Sequence, residues 1–343
     1  MSQSNESPSG VTIFWQKCGR LAGYWRAVFG SGSVYLFVVS LLILGRLISP
    51  QFWSGENLLQ TVKDVSILGV VATGIAFITL SGNFVDLSIP VIMACAGIVA
   101  VYALPLGAGV AMLAGMVTGC VMGCINGLAV GYLRLNPILW TLAAMSVMDG
   151  VTRWAYGGKW VYVRADTAPG AAFSALYRGS LFGFLPVTVA LFALVAAAGH
   201  FLMRHTGYGR QLRMTGASYE AARLSGIPVR RAVMLSFVIS GLTAALGGLI
   251  KTSFSMYGDV EIGLGYDFQA ITAVVLGGVT LAGGRGAMSG VVGGVLVMGL
   301  LGRVLPLIPH VGQDEQYAIR GALFVAVVGL NLLTLRRAGR SDA

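Results

Sequence analysis

Charged side chains are scarce in this 343-residue sequence: they make up 10% of it, against roughly 25% in a soluble globular domain. Histidine occurs three times and cysteine four times, whereas apolar residues reach 56% and glycine occurs 49 times. A water-soluble protein of this length would lack the charges it needs to cover its surface. The shortage excludes a cytoplasmic enzyme, a disordered chain and a secreted disulfide scaffold, and it predicts a polytopic membrane protein.

Motifs of catalysis are also missing. The sequence contains no G-x-x-x-x-G-K-[ST] cradle for nucleotide phosphates, and the nearest string, at 156–160, lacks the first glycine and the final Ser or Thr. No serine and histidine share a plausible membrane depth, which argues against an intramembrane protease. Cys120 and Cys124 share a helix face without a His or carboxylate neighbour, so no metal site is expected. We therefore expect no enzyme, no metal and no cofactor in this chain.

The basic excess, a net charge of +10, is explained by its distribution. Fourteen of the 23 basic residues lie between or beyond apolar stretches, as cytoplasmic loops do under the positive-inside rule. They are Lys17, Arg20, Arg26, Arg134, the six arginines within 204–231, Arg285, Arg336, Arg337 and Arg340. The charge thus indicates membrane topology and not nucleic-acid binding. Residues 1–32 and 336–343 are expected to be cytoplasmic tails, the first leading into an uncleaved span.

Ten apolar segments are candidates for crossing the roughly 30 Å of bilayer hydrocarbon. They lie at 33–48, 65–80, 89–104, 106–133, 138–155, 181–203, 232–254, 268–282, 287–305 and 317–335. We predict an all-α protein of about ten transmembrane helices, with both termini cytoplasmic and 33–335 forming a single transmembrane domain. One loop disagrees with the charge rule: 154–180 would be external, yet it carries Lys159, Arg164 and Arg178.

Glycine recurs with helical spacing at Gly115, Gly119, Gly123 and Gly127, and again at Gly286, Gly290 and Gly294. Small residues every four positions let helix backbones approach closely, and packing within the chain is the preferred interpretation over a dimerisation face. The segments 76–90 and 274–290 resemble each other weakly. They suggest an internal repeat of the kind that builds many transporters.

Ionisable groups that could couple transport to an ion gradient are few. Asp86, Asp149, Lys251 and Arg320 lie within or beside the predicted spans, and Asp149 and Lys251 could pair with each other. No carboxylate lies at the centre of a span with an evident partner, as a proton relay would require. The energy for transport is therefore expected to come from another chain.

The longest cytoplasmic loop, 204–231, contains the signals of its own short helix. Ser218 is a suitable N-cap, Glu220 favours the first turn, and Gly226 followed by Pro228 ends the helix. A helix over 219–225 has about two turns and is too short to be stable alone. Its small apolar face, Ala221, Ala222 and Leu224, indicates that the bundle or a partner holds it. A solvated basic loop on the inner leaflet would explain the arginines equally well.

The loop contains the strings T-G-Y-G-R at 206–210 and E-A-A-R-L-S-G-I-P at 220–228. With these strings it resembles the cytoplasmic coupling loop of ribose/xylose/arabinose-type ABC importer permeases. Further segments are similar in the family's order, at 82–88, 136–142, 240–248, 263–278 and 281–286. Departures occur at Asn83-Phe84, at Ile89-Pro90 where the family usually has glycine, and at Asp149-Gly150 in place of Arg-Gly. These departures lie near the expected pathway and leave the substrate open.

The resemblance implies a multi-pass permease of the bacterial inner membrane. Such permeases form a two-subunit pore, with a second copy or a sister permease, for a pentose, hexose or related small polyol. They receive sugar from an extracytoplasmic binding protein and couple to cytoplasmic ATPase subunits, which hold the ATP and magnesium. The positions implied for coupling are Arg210, Arg213, Ser218, Tyr219, Glu220, Ala221, Ala222, Arg223 and Gly226, with the arginines pairing to acidic groups of the ATPase.

Polar side chains beside helix breaks are candidates for the translocation pathway. They are Asn83, Asp86, Ser88, Asn126 and Thr141. Irregular backbone at membrane depth is tolerated where protein or a water-filled cavity covers it. Each of these groups could instead satisfy backbone donors freed by the break. Two other functional classes remain as alternatives, an ion-coupled secondary transporter and a membrane enzyme that transports nothing.

Overall fold

The computed structural model describes residues 33–309 and 311–338, which are mostly helical. Its α-helices are α1 (Ser33–Ile48), α2 (Gly55–Leu80), α3 (Ile89–Ala103), α4 (Ala108–Gly131), α5 (Pro137–Tyr156), α6 (Ala168–Arg178), α7 (Val187–His205), α8 (Gly207–Ala217), α9 (Tyr219–Leu224), α10 (Val229–Ser255), α11 (Tyr266–Leu276), α12 (Met288–Val304) and α13 (Gln313–Ala338). Short 3₁₀ helices occur at Pro50–Trp53, Leu104–Leu106 and Leu305–Leu307. The predicted tail 1–32 lies outside the described residues.

Four two-residue strands form two antiparallel pairs. Strands β1 (Val161–Tyr162) and β4 (Tyr257–Gly258) pair with each other, as do β2 (Ser180–Leu181) and β3 (Leu185–Pro186). The first pair joins the connection after α5 to the end of α10. The second pair is a hairpin that leads directly into α7.

Local sequence signals explain where several helices begin and end. The Ser54 hydroxyl caps α2 by accepting a hydrogen bond from the Asn57 amide at 3.3 Å. The Asn136 side chain caps α5 by accepting from the next free amides, at 3.0 and 3.3 Å, and Pro137 follows at the first helical position. Gly157, in the left-handed conformation with φ +69°, ends the same helix.

Within the described residues, six helices are long and apolar enough to cross a membrane. They are α2, α3 continued to Leu106, α4, α7, α10 and α12 continued to Leu307. The predicted all-α membrane class agrees with this result. A helix also lies at each of the other four predicted spans, but α1 and α11 are short, and α5 and α13 do not meet the same length and hydropathy criteria.

Several predicted boundaries move in the structure. The segment predicted to span from residue 181 becomes helical only at Val187, because 180–186 form the β2–β3 hairpin. The predicted span 268–282 ends at Leu276, because the glycines that follow adopt positive φ, +83° at Gly278 and +87° at Gly283. Helix α13 continues to Ala338 and so includes the first residues of the predicted C-terminal tail.

Helix α2 is central and α4 and α7 are peripheral. In its most apolar stretch, 83% of α2 is buried inside the protein, against 22% for α4 and 17% for α7. The exposed face of α4 is apolar and suits contact with lipid chains. It consists of Val110, Leu113, Val117, Val121, Ile125 and Leu128.

The glycine face of α4 packs against α10. A Cβ on Gly123 would lie 2.6 Å from the Phe237 carbonyl oxygen, and one on Gly127 would lie 2.7 Å from the Met234 carbonyl oxygen. The backbones of the two helices therefore touch, and the prediction of packing within the chain is confirmed. In α12 the second glycine series does the same, since a Cβ on Gly294 would lie 2.9 Å from the amide of Gly277 after α11.

A polar cluster ties α6 to the spans at the end of α2 that lies away from Leu80. The Tyr177 hydroxyl donates to the Asp64 carboxylate at 3.1 Å, and Arg303 of α12 forms an ion pair with the same carboxylate. The Tyr177 amide donates to the Ser253 hydroxyl of α10 at 3.2 Å. Burial raises the pKa of Tyr177, which keeps the phenol protonated as a donor. We call Asp64, Tyr177, Ser253 and Arg303 the α6 clamp.

Asp149 and Lys251 do not form the pair expected from the sequence. Asp149 binds Arg153, one turn along α5, with 2.9 Å between Oδ2 and Nε. The ammonium of Lys251 lies 5.0 Å from the ring centroid of Phe254 on its own helix. Both charged groups thus find partners one helical turn away, where side chains of one helix meet most readily.

Candidate functional site

The short helix predicted in the cytoplasmic loop is present as α9. The Ser218 hydroxyl accepts a hydrogen bond from the Ala221 amide at 3.3 Å, which is the predicted N-cap. Glu220 lies in the first turn, and Gly226 takes the left-handed conformation with φ +77°. The local signals therefore placed this helix correctly to within one residue at its end.

A longer helix, α8, precedes α9 and was missed in the sequence. Its cap is the Thr206 hydroxyl, which accepts from the Gly209 amide at 3.3 Å. Leu212 is fully buried, and the Tyr208 hydroxyl donates to the Ala232 carbonyl of α10 at 3.3 Å. Apolar residues four positions apart and the Thr cap were available signals. Glycines in this segment lower its intrinsic helix propensity and concealed it.

The end of α8 meets two helix breaks at backbone contact. A Cβ on Gly216 would overlap the Leu80 carbonyl oxygen and lie 2.5 Å from the Gly284 amide. That amide donates to the Leu80 carbonyl at 3.0 Å, and a Cβ on Gly82 would lie 3.3 Å from the Gly216 Cα. We call Gly82, Gly216, Gly283 and Gly284 the glycine junction. A displacement of α8 reaches the end of α2 and the α11–α12 connection directly, because no side chain lies between them.

The predicted apolar face of α9 is divided between the protein and its surface. Ala222 is 2% exposed and anchors the helix to the bundle, whereas Leu224 is 82% exposed and Ala221 is also exposed. The helix is therefore held from one side and presents a leucine on the other. This surface is available to a partner.

The arginines of the coupling segment differ in their surroundings. Arg223 pairs with Glu220 within α9, at 2.9 Å. Both side chains are more than half exposed, and such a pair contributes little, ~0–1 kcal/mol. Arg210 is exposed. The Nε of Arg213 is buried and has no hydrogen-bond partner among the described residues.

Three of the predicted pathway residues form one buried cluster. Asp86 Oδ1 accepts from the Ser88 amide at 2.9 Å and from its hydroxyl at 2.5 Å. The Asn126 amide donates to the Ser88 hydroxyl at 2.7 Å, and the Trp140 indole donates to Asn126 Oδ1 at 3.1 Å. Asp86, Ser88 and Asn126 are fully buried. The cluster joins the break after α2 to α4 and α5.

Thr141 belongs beside this cluster and Asn83 does not. The Thr141 hydroxyl accepts from the Leu87 amide at 3.1 Å, next to the cluster. Asn83 donates to the Ser81 hydroxyl at 2.9 Å and lines a cavity of about 260 Å³ that also reaches Ser218. Trp140 was missed in the sequence, although a buried indole N–H requires a hydrogen-bond acceptor and was a usable signal.

Side chains at the cluster accept hydrogen bonds from backbone amides at the break, while one carboxylate oxygen of Asp86 accepts none from the described residues. The amides of Leu87 and Ser88, which no helix ladder binds, donate to Thr141 and Asp86. These side chains therefore satisfy backbone donors freed by the break, which was the alternative to a pathway role considered in the sequence. Asp86 Oδ2 is buried without a hydrogen-bond partner among the described residues, which leaves it available to a further donor.

Comparison with known proteins identifies the family. A family model described as "Branched-chain amino acid transport system / permease component" matches residues 57–328. The chain belongs to this family. It is 35% identical to the L-arabinose transport system permease protein AraH of Escherichia coli K12 over 299 residues. The aligned residues cover 87% of this chain and 88% of the relative. No solved structure matches the chain.

Other relatives agree with this assignment. The permease is 33% identical to the ribose import permease protein RbsC of Bacillus subtilis, over 87% of this chain and 91% of the relative. It is 32% identical to the L-arabinose ABC transporter permease protein AraH of Azospirillum brasilense, over 89% and 88%. The resemblance to ABC sugar importer permeases is confirmed. The permease is a multi-pass protein of the inner membrane and a transport component, not a catalytic subunit.

The glycine junction and the buried cluster both lie within the matched region of the permease. One departure noted in the sequence has a structural reason. Pro90 stands in the first turn of α3, where its missing amide costs no hydrogen bond. Gly263 packs on this proline, since a Cβ there would lie 2.7 Å from the Pro90 Cα.

Proposed function

We propose that this permease carries a small sugar across the inner membrane as the pore-forming subunit of an ATP-driven ABC importer. The relatives named for arabinose and ribose import support a sugar, although the family description names branched-chain amino acids. The buried cluster of Asp86, Ser88, Asn126 and Trp140 contains no basic side chain to neutralise an amino-acid carboxylate. Its remaining acceptor, Asp86 Oδ2, suits a hydroxyl donor. A pentose, a hexose and a related small polyol all fit this chemistry.

The topology that we propose has ten spans with both termini cytoplasmic. The six long apolar helices account for part of it, and α1, α5, α11 and α13 would provide the rest. The break after α2 and the one after α11 meet at the glycine junction, and both lie in the segments 76–90 and 274–290 that would form the internal repeat. Residues 33–335 would then form one permease domain, with 204–231 as its cytoplasmic coupling loop and 1–32 and 336–343 as tails.

Coupling to the ATPase would run through α9. Leu224 would enter a groove of a separate ATPase subunit, which holds ATP and magnesium, and Arg210 would meet acidic groups at the rim. Movement of the ATPase pair would displace α8 and, through the glycine junction, α2 and the α11–α12 connection. Two permease subunits, identical or sister chains, would thereby open alternately to the binding protein outside and to the cytoplasm. The single observation that carries this coupling is the backbone contact of Gly216 with Leu80 and Gly284.

Leu224→Asp tests the coupling helix without disturbing the core, because this side chain is 82% exposed. We expect the variant to reach the membrane but to lose co-purification of the ATPase and at least about tenfold of ATP-dependent arabinose or ribose uptake, since one desolvated hot-spot side chain contributes 2 kcal/mol or more. Leu224→Met, which preserves an apolar contact, should retain both. Unchanged uptake by Leu224→Asp would contradict the role of α9.

Reconstitution of the permease alone distinguishes the ion-coupled alternative. In vesicles without ATPase or binding protein, we expect no accumulation of arabinose or ribose under an imposed proton or sodium gradient. Accumulation that is lost in Asp86→Asn would instead establish a secondary transporter in which the buried carboxyl binds the coupling ion.

A further inference from the structure

A basic cavity lies beside α9, at the ends of α4 and α10 that face the coupling loop. Its volume is about 570 Å³. The side chains that give it its chemistry are Arg134, Arg223, Arg230, Arg231, Tyr132 and Tyr219. We call it the arginine cavity.

Three cations in this cavity have no carboxylate partner. Arg223 pairs with Glu220, but Arg134, Arg230 and Arg231 form no ion pair within residues 33–309 and 311–338. The Arg134 guanidinium lies 5.2 Å from the ring centroid of Tyr219, which holds it over the cavity. Guanidinium groups that converge without an acidic partner form a site for a phosphate or carboxylate.

The backbone of Arg134 adopts an unusual conformation at the end of α4. Its φ is +56°, in the left-handed region that glycine favours after a helix. The preceding and following amides, Leu133 and Leu135, donate to the Leu128 and Ala129 carbonyls at 3.2 Å, which closes α4. Glycine would make this closure without strain.

An apolar surface adjoins the cavity. Leu133, which stands in the chain between the cavity residues Tyr132 and Arg134, is 69% exposed, and Leu139, at the start of α5, is 68% exposed. Tyr132 itself is 38% exposed. In a membrane protein such side chains contact lipid chains, and a tyrosine at their edge suits the headgroup level. A ligand that occupies both surfaces carries an anionic phosphate and an acyl chain.

We propose that the arginine cavity binds the headgroup phosphate of an anionic phospholipid, whose chains lie along Leu133 and Leu139. Basic cavities at the membrane surface favour such headgroups through charge and hydrogen bonding. Tyr219 and Arg223 belong to α9, so the bound lipid contacts the coupling helix itself. Its effect on coupling, unlike the binding, rests on the proposed function: the lipid holds α9 in the position that receives the ATPase.

Binding is measurable on the purified full-length permease alone. We would titrate it with phosphatidylglycerol, with phosphatidylcholine as the neutral reference, and count bound lipids by native mass spectrometry. Arg134→Gly is the sharpest variant, because glycine relieves the backbone strain while removing the guanidinium. A hydrogen bond from a guanidinium to a phosphate contributes about 1.5–3 kcal/mol, which is at least about tenfold in affinity. We expect that loss in Arg134→Gly and a larger one, at least about 100-fold, in Arg230→Ala/Arg231→Ala.

The matched control is Arg204→Ala, an exposed arginine at the end of α7 that lies outside the cavity. It should bind phosphatidylglycerol as the parent protein does, and all variants should keep their melting temperature in phosphatidylcholine. An equal loss in Arg204→Ala would show a general charge effect and overturn the site.

Displacement by millimolar inorganic phosphate would identify free phosphate as the ligand. Unchanged lipid binding together with lost ATPase co-purification would assign the arginines to the ATPase. A negative lipid result leaves sugar transport untouched, since uptake is assayed separately.

Discussion

At the scale of single residues, Asn126 holds the buried cluster together through two side-chain hydrogen bonds. Its amide nitrogen donates to Ser88 and its oxygen accepts from Trp140, so one side chain links α4 to the break after α2 and to α5. The side chains of Asn126 and Ser88 are fully buried, and that of Trp140 is partly buried. Leaving a buried polar group unpaired costs more free energy than an average hydrogen bond contributes. Asn126 therefore determines where the break sits relative to α4.

Asn126→Leu tests this role. The leucine has similar volume, but it leaves the Trp140 indole without its acceptor, at a cost of about 1–3 kcal/mol. It also removes the amide that donates to the Ser88 hydroxyl, which keeps its hydrogen bond to Asp86. We expect a clear decrease in the melting temperature of the purified permease. Asn83→Leu, at a partly buried position outside the cluster, is the control and should change it much less. Equal decreases in the two variants would show that the cluster has no special weight.

At the scale of elements, α8 and α9 act together. Helix α9 has six residues and would not persist alone in water. It is held by Ala222 from the bundle side, and Ser218, with extended backbone, is the single residue that joins it to the longer α8. Because α8 ends in the glycine junction, any force on α9 is delivered to backbone and not to adaptable side chains.

Gly216→Ala should damage this connection. The added methyl overlaps the Leu80 carbonyl and lies 2.5 Å from the Gly284 amide, so α8 must move away from α2. We expect sugar uptake to fall at least about tenfold while the ATPase still co-purifies, since α9 keeps its exposed surface and a misplaced mechanical element costs rate. Gly207→Ala is the matched control on the same helix, where the nearest heavy atom is the Arg210 guanidinium at 3.9 Å. Full activity of Gly216→Ala would exclude the junction as the route of coupling.

At the scale of the whole molecule, the α6 clamp and the glycine junction lie at different depths. Asp64 of the clamp and Leu80 of the junction are 16 residues apart on α2, which corresponds to about 24 Å along a helix axis. The segment 154–180 lies on the side of the clamp and carries basic residues that the charge rule does not favour outside. One of them, Arg164, is paired with Asp166 at 3.0 Å. The Arg164 side chain holds the pKa of Asp166 below its usual value.

Cysteine labelling tests the resulting orientation. In a background with Cys18, Cys95, Cys120 and Cys124 replaced by serine or alanine, Asp166→Cys should react with a membrane-impermeant maleimide in intact cells. Arg210→Cys should react only after the cells are opened. Both positions are exposed, so access to the reagent, and not burial, decides the result. The reverse pattern would invert the proposed topology.

The sequence predicted local features well and long-range contacts poorly. The Ser218 cap, Gly226 and the length of α9 follow from neighbours within a few residues, and all three are present. The end of α11 and the β2–β3 hairpin were misplaced, because a continuous apolar run does not show where the backbone leaves the helix. The candidate pathway residues were predicted individually. Nothing in their spacing showed that Asn126 lies at the centre of a cluster and Asn83 outside it.

By itself, the sequence determined the membrane class, the family and the capped helix α9. Composition, hydropathy and helix caps are additive or local, so they can be read without knowing which segments meet. Only the tertiary structure decided that Ser88 meets Asn126, 38 residues away, and that Leu87 meets Thr141, 54 residues away. It also brought Gly216, Leu80 and Gly284 into backbone contact. Such contacts depend on how helices pack, since packing selects partners by shape and hydrogen bonding across distances that no local pattern spans.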